Sequence, residues 1–348
     1  MNALRRLGGL VMRWLSGQTL FVCAVAGAAA LVGGWLLVRA NVPDAEVVAS
    51  PKLTLENIPF NGTETYDYLK AICKIGPRPS GSAGMVAQQK MLADHFQKLG
   101  GAVRMQEFRA RNPLDGSPVP MANMIVTWHP DRKERILLAA HYDTRPYPDE
   151  DKHHPKGVFI GANDGASGVA ILMELAKSMP TLNTPFGVDF VLLDGEEFVF
   201  KQHDRGFFPG SGDPMFLGAE YFARDYASQP PPYKYRWGVL LDMVGGAELR
   251  IGEEQNSWSW EDTRPLVKQL WGVADKLGVH EFIPHRMENV LDDHLRLHEI
   301  GKIPTCDVIS FLAYLPYWHT EQDTPAHCSA LSLAKVGWVM QEWLKQAK

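Results

Sequence analysis

Three short apolar runs end in acids or in an acid–histidine pair. Ile136–Ala140 leads into His141-Tyr142-Asp143, Val188–Leu193 into Asp194-Gly195-Glu196-Glu197, and Gly238–Leu241 into Asp242. Taking unpaired carboxylates out of water is costly, so several converging on one sheet edge call for a cation. Between the first two runs, the glycine-rich turn Gly161–Gly168 opens a helix and holds Asp164 near the strand tips. Trp318-His319-Thr320 follows a Pro-containing loop and offers an imidazole. Each piece alone has an ordinary explanation. A His-x-Asp is commonly a local hydrogen-bonded pair, and Glu-Glu at a strand–helix junction offsets the helix dipole. Gly-Ala-Asn-Asp-Gly is simply a good turn. Their ordered recurrence at successive strand tips points to one site.

The elements that must position them read as an α/β protein. Helical periodicity marks Thr65–Ile75, Met85–Leu99, Ala166–Met179, Leu217–Tyr226, Arg264–Leu277 and Leu331–Gln346. Strand-like runs cover Val103–Phe108, Ala122–Thr127, Ile136–Ala140, Val188–Leu193, Trp237–Met243 and Ile303–Ile309. Strands alternating with helices predict a single, mostly parallel central sheet with helices on both faces. In such sheets ligands bind beyond the carboxyl ends of the strands, where the acids fall.

Leu20–Val38 carries no charge over nineteen residues, enough to cover ~30 Å of helix, a bilayer's hydrocarbon thickness. Arg5, Arg6 and Arg13 precede it and only Arg39 follows closely. The positive-inside rule then predicts a cytoplasmic segment 1–19, a transmembrane signal anchor 20–38, a linker 39–62, and a catalytic domain 63–348 on the extracytoplasmic side. A cleaved signal peptide is the weaker reading, because the apolar run is long and lacks a convincing small-residue cleavage signature. The net charge is −5 with no extended basic run, which argues against a nucleic-acid partner. Cys23, Cys73, Cys306 and Cys328 show no CxxC spacing and indicate no disulfide framework.

The motif series His141-Tyr142-Asp143, Gly161–Gly168, Asp194–Glu197, Leu241-Asp242 and Trp318-His319-Thr320 resembles the M28 family of zinc aminopeptidases and glutaminyl cyclases, from about residue 65 onward. The resemblance implies that Asp164, Glu197 and His319 hold a zinc ion with one position left open, as catalytic zinc requires. It implies that Glu196 is the general base or acid, and that the substrate is a peptide or protein N-terminus.

Within the family the chain looks more like the one-zinc cyclase branch. Leu291-Asp292-Asp293-His294 is similar to that branch's Asp-Asp-His motif. The stretch after Glu197 is long, with Gly212-Asp213-Pro214 resembling a bacterial cyclase insertion, and Gly76–Ser82 and Trp318-His319 also look cyclase-like. This implies conversion of N-terminal Gln, or more slowly Glu, to pyroglutamate. Asp242, Asp292 and Asp293 would supply the hydrogen-bonding carboxylates, and Trp318 with Tyr314 the wall around the glutaminyl chain. Departures from the animal cyclases are Ala140 and Val169 where those have a disulfide, Asp307 in place of a histidine, and Gln202 near an absent tryptophan. The alternative is a di-zinc aminopeptidase using His141 and Asp242 for a second zinc. A catalytically dead binding protein on the same fold is disfavoured, since Asp164, Glu196, Glu197 and His319 are all present.

Overall fold

The computed structural model describes residues 53–200, 215–311 and 315–348. Their core is a six-stranded sheet in the order β1-β2-β4-β3-β5-β8. These strands are β1 (Ala102–Arg111), β2 (Pro118–Trp128), β3 (Glu134–His141), β4 (Gly187–Leu193), β5 (Lys234–Asp242) and β8 (Thr305–Ile309). The pairs β4/β3, β3/β5 and β5/β8 are parallel, whereas β1/β2 and β2/β4 are antiparallel. The sheet is therefore mixed, with β2 alone of the six running against the others, so the mostly parallel expectation holds except at that strand. Only residues 112–117 join β1 to β2, too short a link for the crossover that parallel neighbours need.

The parallel strands are buried on both faces, and side chains divide with the period of two that strands impose. Leu138, Ala140, Phe190 and Leu192 enter one core, while Leu137, Ala139, Val191 and Leu193 enter the other. The first core takes α1 (Gly62–Lys74), α2 (Ala83–Lys98), α3 (Ala166–Leu175), α6 (Arg264–Leu277) and α8 (Ala330–Gln346). The second takes α4 (Leu217–Ser228) and, through Leu297, α7 (Asp293–Glu299). Helices on both faces are thus as expected.

The helix starts follow capping chemistry: Asn61 accepts from the Glu64 amide at 3.1 Å and Ser82 from the Met85 amide at 3.1 Å. Expected α3 stops early, at Leu175, and the chain passes into a 3₁₀ turn Met179–Thr181 that contains Pro180. A separate two-stranded parallel sheet of β6 (Ile251–Glu253) and β7 (Phe282–Arg286), together with α5 (Gln255–Ser259) and α7, carries no clear period and is absent from the sequence reading.

The compact unit begins at Leu53, ten residues before the predicted boundary at 63. Ile58 and Phe60 are buried within it, so residues 53–62 belong to the domain rather than to a linker. The predicted anchor 20–38 lies outside the described residues. Among the described residues no helix is long and apolar enough to cross a membrane.

Candidate metal centre and cleft

Because β4, β3 and β5 run parallel as neighbours, with His141 beside Leu193 in register, their carboxyl ends bring His141, Asp194 and Asp242 to one edge. His141 Nε2 lies 3.1 Å from Asp164 Oδ1 and 3.1 Å from Asp242 Oδ1. Asp164 Oδ2 lies 3.3 Å from His319 Nε2, which is 3.1 Å from Glu197 Oε1. Two donor groups result, His141–Asp164–Asp242 and Asp164–Glu197–His319, each with its ligand atoms within 4.8 Å of one another and all residues buried. Asp164 is shared by both. A third buried group, Asp292–His294–Asp307, lies behind them.

Two further buried acids, Asp143 of the first motif and the unmarked Asp323, hold these ligands in place. Asp323 accepts from the amides of Asn163 (2.8 Å) and Asp164 (3.1 Å), fixing the glycine-rich turn. Asp143 accepts from the amides of Glu196 (3.3 Å) and Glu197 (3.0 Å), so the acid of His-Tyr-Asp orients the Glu-Glu pair. Gly165 has φ +84°, and a side chain there would strike the His141 ring. Gly168 lets α3 close onto the Leu241 carbonyl beside Asp242. His319 adopts φ +52°, a strained conformation for a non-glycine residue of the sort found where function over-determines geometry. Its ring stacks on Trp318 at a centroid distance of 3.7 Å.

The electrostatics divide the acids by role. Burial pushes Glu196 up to about 8; His141 opposes this, and Asp164, Asp143 and Asp242 add to it. Burial also raises Asp242, and raises Asp292, Asp293 and Asp307 well above the carboxylate range, with neighbouring carboxylates adding to the shift. Asp164 behaves oppositely. Burial would raise it, but His141 and His319 hold it far below its ordinary value. Several raised carboxyls beside one held low mark this cluster as a candidate functional site.

A cleft of about 440 Å³ opens on this group. Arg145, Asp164, Glu196, Glu197, Asp242, Asp292 and His319 form its polar side; Met215, Met243, Val290, Leu291, Ile309, Phe311 and Trp318 form the apolar wall. Trp318 is therefore where the motif reading put it. Of the Asp292–Asp293 pair only Asp292 lines the cleft, while Asp293 is fully buried within the α7 start. Tyr314, Gln202 and Gly212–Pro214 lie outside the described residues. The sequence reading missed Arg145, which contacts Glu197 and bonds Asp149 at 2.7 Å, and the wall residues Val290 and Phe311. Arg145, two residues past His-Tyr-Asp, had a positional signal; the wall residues had none. Cys73, Cys306 and Cys328 are buried free thiols.

Residues 123–344 match the family model described as Peptidase family M28. The chain belongs to that family. Among M28 relatives, a glutaminyl-peptide cyclotransferase-like protein of Mus musculus is 27% identical over 274 residues, spanning 72% of this chain and 67% of the relative. The crystal structure of Fimbriiglobus ruber glutaminyl cyclase superposes with a TM-score of 0.77 at 38% identity, covering 83% of this chain and 96% of that one. A leucine aminopeptidase precursor from Bacteroides thetaiotaomicron superposes equally well, with a TM-score of 0.77 at 32% identity, covering 84% and 99%. The M28 scaffold is thus shared with proteins carrying both names.

Proposed function

We propose that this M28 chain is a zinc-dependent glutaminyl-peptide cyclotransferase, converting N-terminal Gln to pyroglutamate with release of ammonia. The observation that carries this reading is Asp292. It stands in the cleft with Glu196 and Asp242, and its Oδ2 has no hydrogen-bond partner among the described residues. A third carboxyl there, raised by burial and by neighbouring carboxylates, can hydrogen-bond a tetrahedral intermediate. The cyclase names among the relatives support the same reading.

The donor set fits zinc. Asp164, Glu197 and His319 offer two carboxylates and one imidazole, with the cleft on their open side, the composition of a catalytic rather than a closed structural site. Bound there, zinc would supply Lewis acidity toward the side-chain amide carbonyl. The chain's own residues do the rest. The cleft wall with Trp318 holds the glutaminyl chain so that its α-amine meets its own amide carbon, and positioning supplies much of the rate. Glu196 takes one proton from the attacking amine and passes it to the departing nitrogen. One C–N bond forms, one breaks, and ammonia leaves with the transferred proton. Asp242 and Asp292 hydrogen-bond the intermediate.

A di-zinc aminopeptidase is the second reading, favoured by the presence of the His141–Asp164–Asp242 group. Purified protein incubated with Gln-2-naphthylamide should release ammonia and form a pyroglutamyl product, bind one zinc per chain, and leave Leu-p-nitroanilide intact. Two zincs with nitroaniline release would replace the cyclase reading by the peptidase one.

We further propose that residues 20–38 anchor the chain in a membrane with the catalytic domain on the extracytoplasmic side. The charge-free run and the preceding arginines support this. The full-length chain should stay in carbonate-washed membranes, with its domain degraded by protease added outside the cytoplasmic membrane. Release by carbonate would refute the anchor, and protection from that protease would refute the orientation.

A further inference from the structure

One buried carboxylate holds the chain on both sides of Asp292. Glu254 follows β6 and stands at the N-terminus of α5, with no exposed surface. Its Oε1 accepts from the amides of Asn256 at 2.9 Å and Val290 at 3.1 Å. Its Oε2 accepts from the Ser257 amide at 2.7 Å and the Ser257 hydroxyl at 2.8 Å, and faces His294 Nε2 at 3.3 Å. A helix cap needs only the local amides. Val290 and His294 lie on a different part of the chain, two residues before and two residues after Asp292.

Asp292 is set between these two holds. Its Oδ1 accepts from the Asp293 amide at 2.6 Å to cap α7, whereas its Oδ2 has no hydrogen-bond partner among the described residues, and Asp292 lines the cleft. The Ser257 hydroxyl also accepts from the Asp307 amide at 3.1 Å, tying the same knot to β8. Burial acts to raise Glu254, but His294 and the amides outweigh it and hold the carboxyl at about 2. It is a fixed anion at working pH. His294 Nε2 faces this anion at 3.3 Å, and its Nδ1 lies 3.6 Å from Asp307 Oδ2.

We propose that Glu254 is a positioning residue that sets the Asp292 carboxyl in the cleft by gripping Val290 and His294. The inference rests on the reading of Asp292 as one of the reacting carboxyls. Glu254→Gln preserves size but turns one acceptor oxygen into a donor, so one grip becomes repulsive. Its kcat on Gln-2-naphthylamide should fall roughly ten- to a hundredfold, the scale of an ångström's misplacement, with KM within about twofold and zinc content unchanged.

Asp292→Asn should also lower kcat. The double variant should be no slower than the slower single one, because both changes act through the same group. His294→Gln keeps a donor toward Glu254 and should retain kcat, whereas His294→Leu should match Glu254→Gln; this pair carries the test if Glu254→Gln does not fold. Wild-type kcat in Glu254→Gln, or losses that multiply in the double variant, would overturn the proposal. If Asp292→Asn itself keeps full kcat, the reading of Asp292 fails instead. A crystal structure of Glu254→Gln then decides the positioning: a displaced Asp292 carboxyl supports it and an unmoved one overturns it.

Discussion

A Glu196→Gln enzyme should keep its zinc and lose its turnover. Glu196 belongs to neither ligand group, yet it lines the cleft and lies 3.8 Å from His141 Nδ1. Its backbone is pinned by Asp143, so the amide replacement keeps the geometry and removes only the proton carrier. Loss of a positioned acid–base group costs about 10²- to 10⁴-fold in kcat. Metal analysis should still find one zinc per chain, and retained turnover would refute the assigned role. The wild-type pH profile offers a second check. Burial holds Glu196 at about 8, and the base works only when ionised, so kcat should rise as pH climbs through its pKa. A bound cation nearby favours the carboxylate and moves that midpoint downward. The ascending limb of kcat, in which the free substrate's amine plays no part, should therefore lie at or below about 8. A kcat that falls across this range would contradict the assignment.

Asp164→Asn should remove metal and activity together. Asp164 faces His141 with one oxygen and His319 with the other, and both imidazoles favour its ionised form. An amide retains the shape but not the charge that a divalent ion requires. Loss of the Lewis acid, worth several kcal/mol, should cut kcat by at least about a hundredfold. The wild-type Tm should drop on chelation, since an ion bound only to the folded chain stabilises it by mass action. The variant's Tm should not respond. His141→Ala is the informative contrast: under the one-zinc account it keeps the ion, and under the two-zinc account it loses one. A variant Asp164→Asn with full zinc content would remove Asp164 from the ligand set.

Most of the site was legible in the sequence because its residues sit at the strand tips, where apolar runs meet turns. His141, Asp164, Glu197 and Asp242 could each be placed on an edge by local pattern, and the structure gathers them into two donor groups that share Asp164. What local pattern could not express is partnership across the chain. Asp323 lies 159 residues from the amide it secures at Asp164, and Glu254 lies 36 from Val290; neither carries a motif. Short elements were also invisible, since three residues in β6 and five in β7 are too few to establish a period. The reversed direction of β2 was not legible for another reason. Apolar alternation reveals that a strand exists, but the length of its connection decides which way it runs.

A carboxylate that faces two imidazoles can complete one ion's shell or bridge a pair. The one-zinc and two-zinc accounts of this site therefore meet at a single side chain, and counting ions per chain distinguishes them.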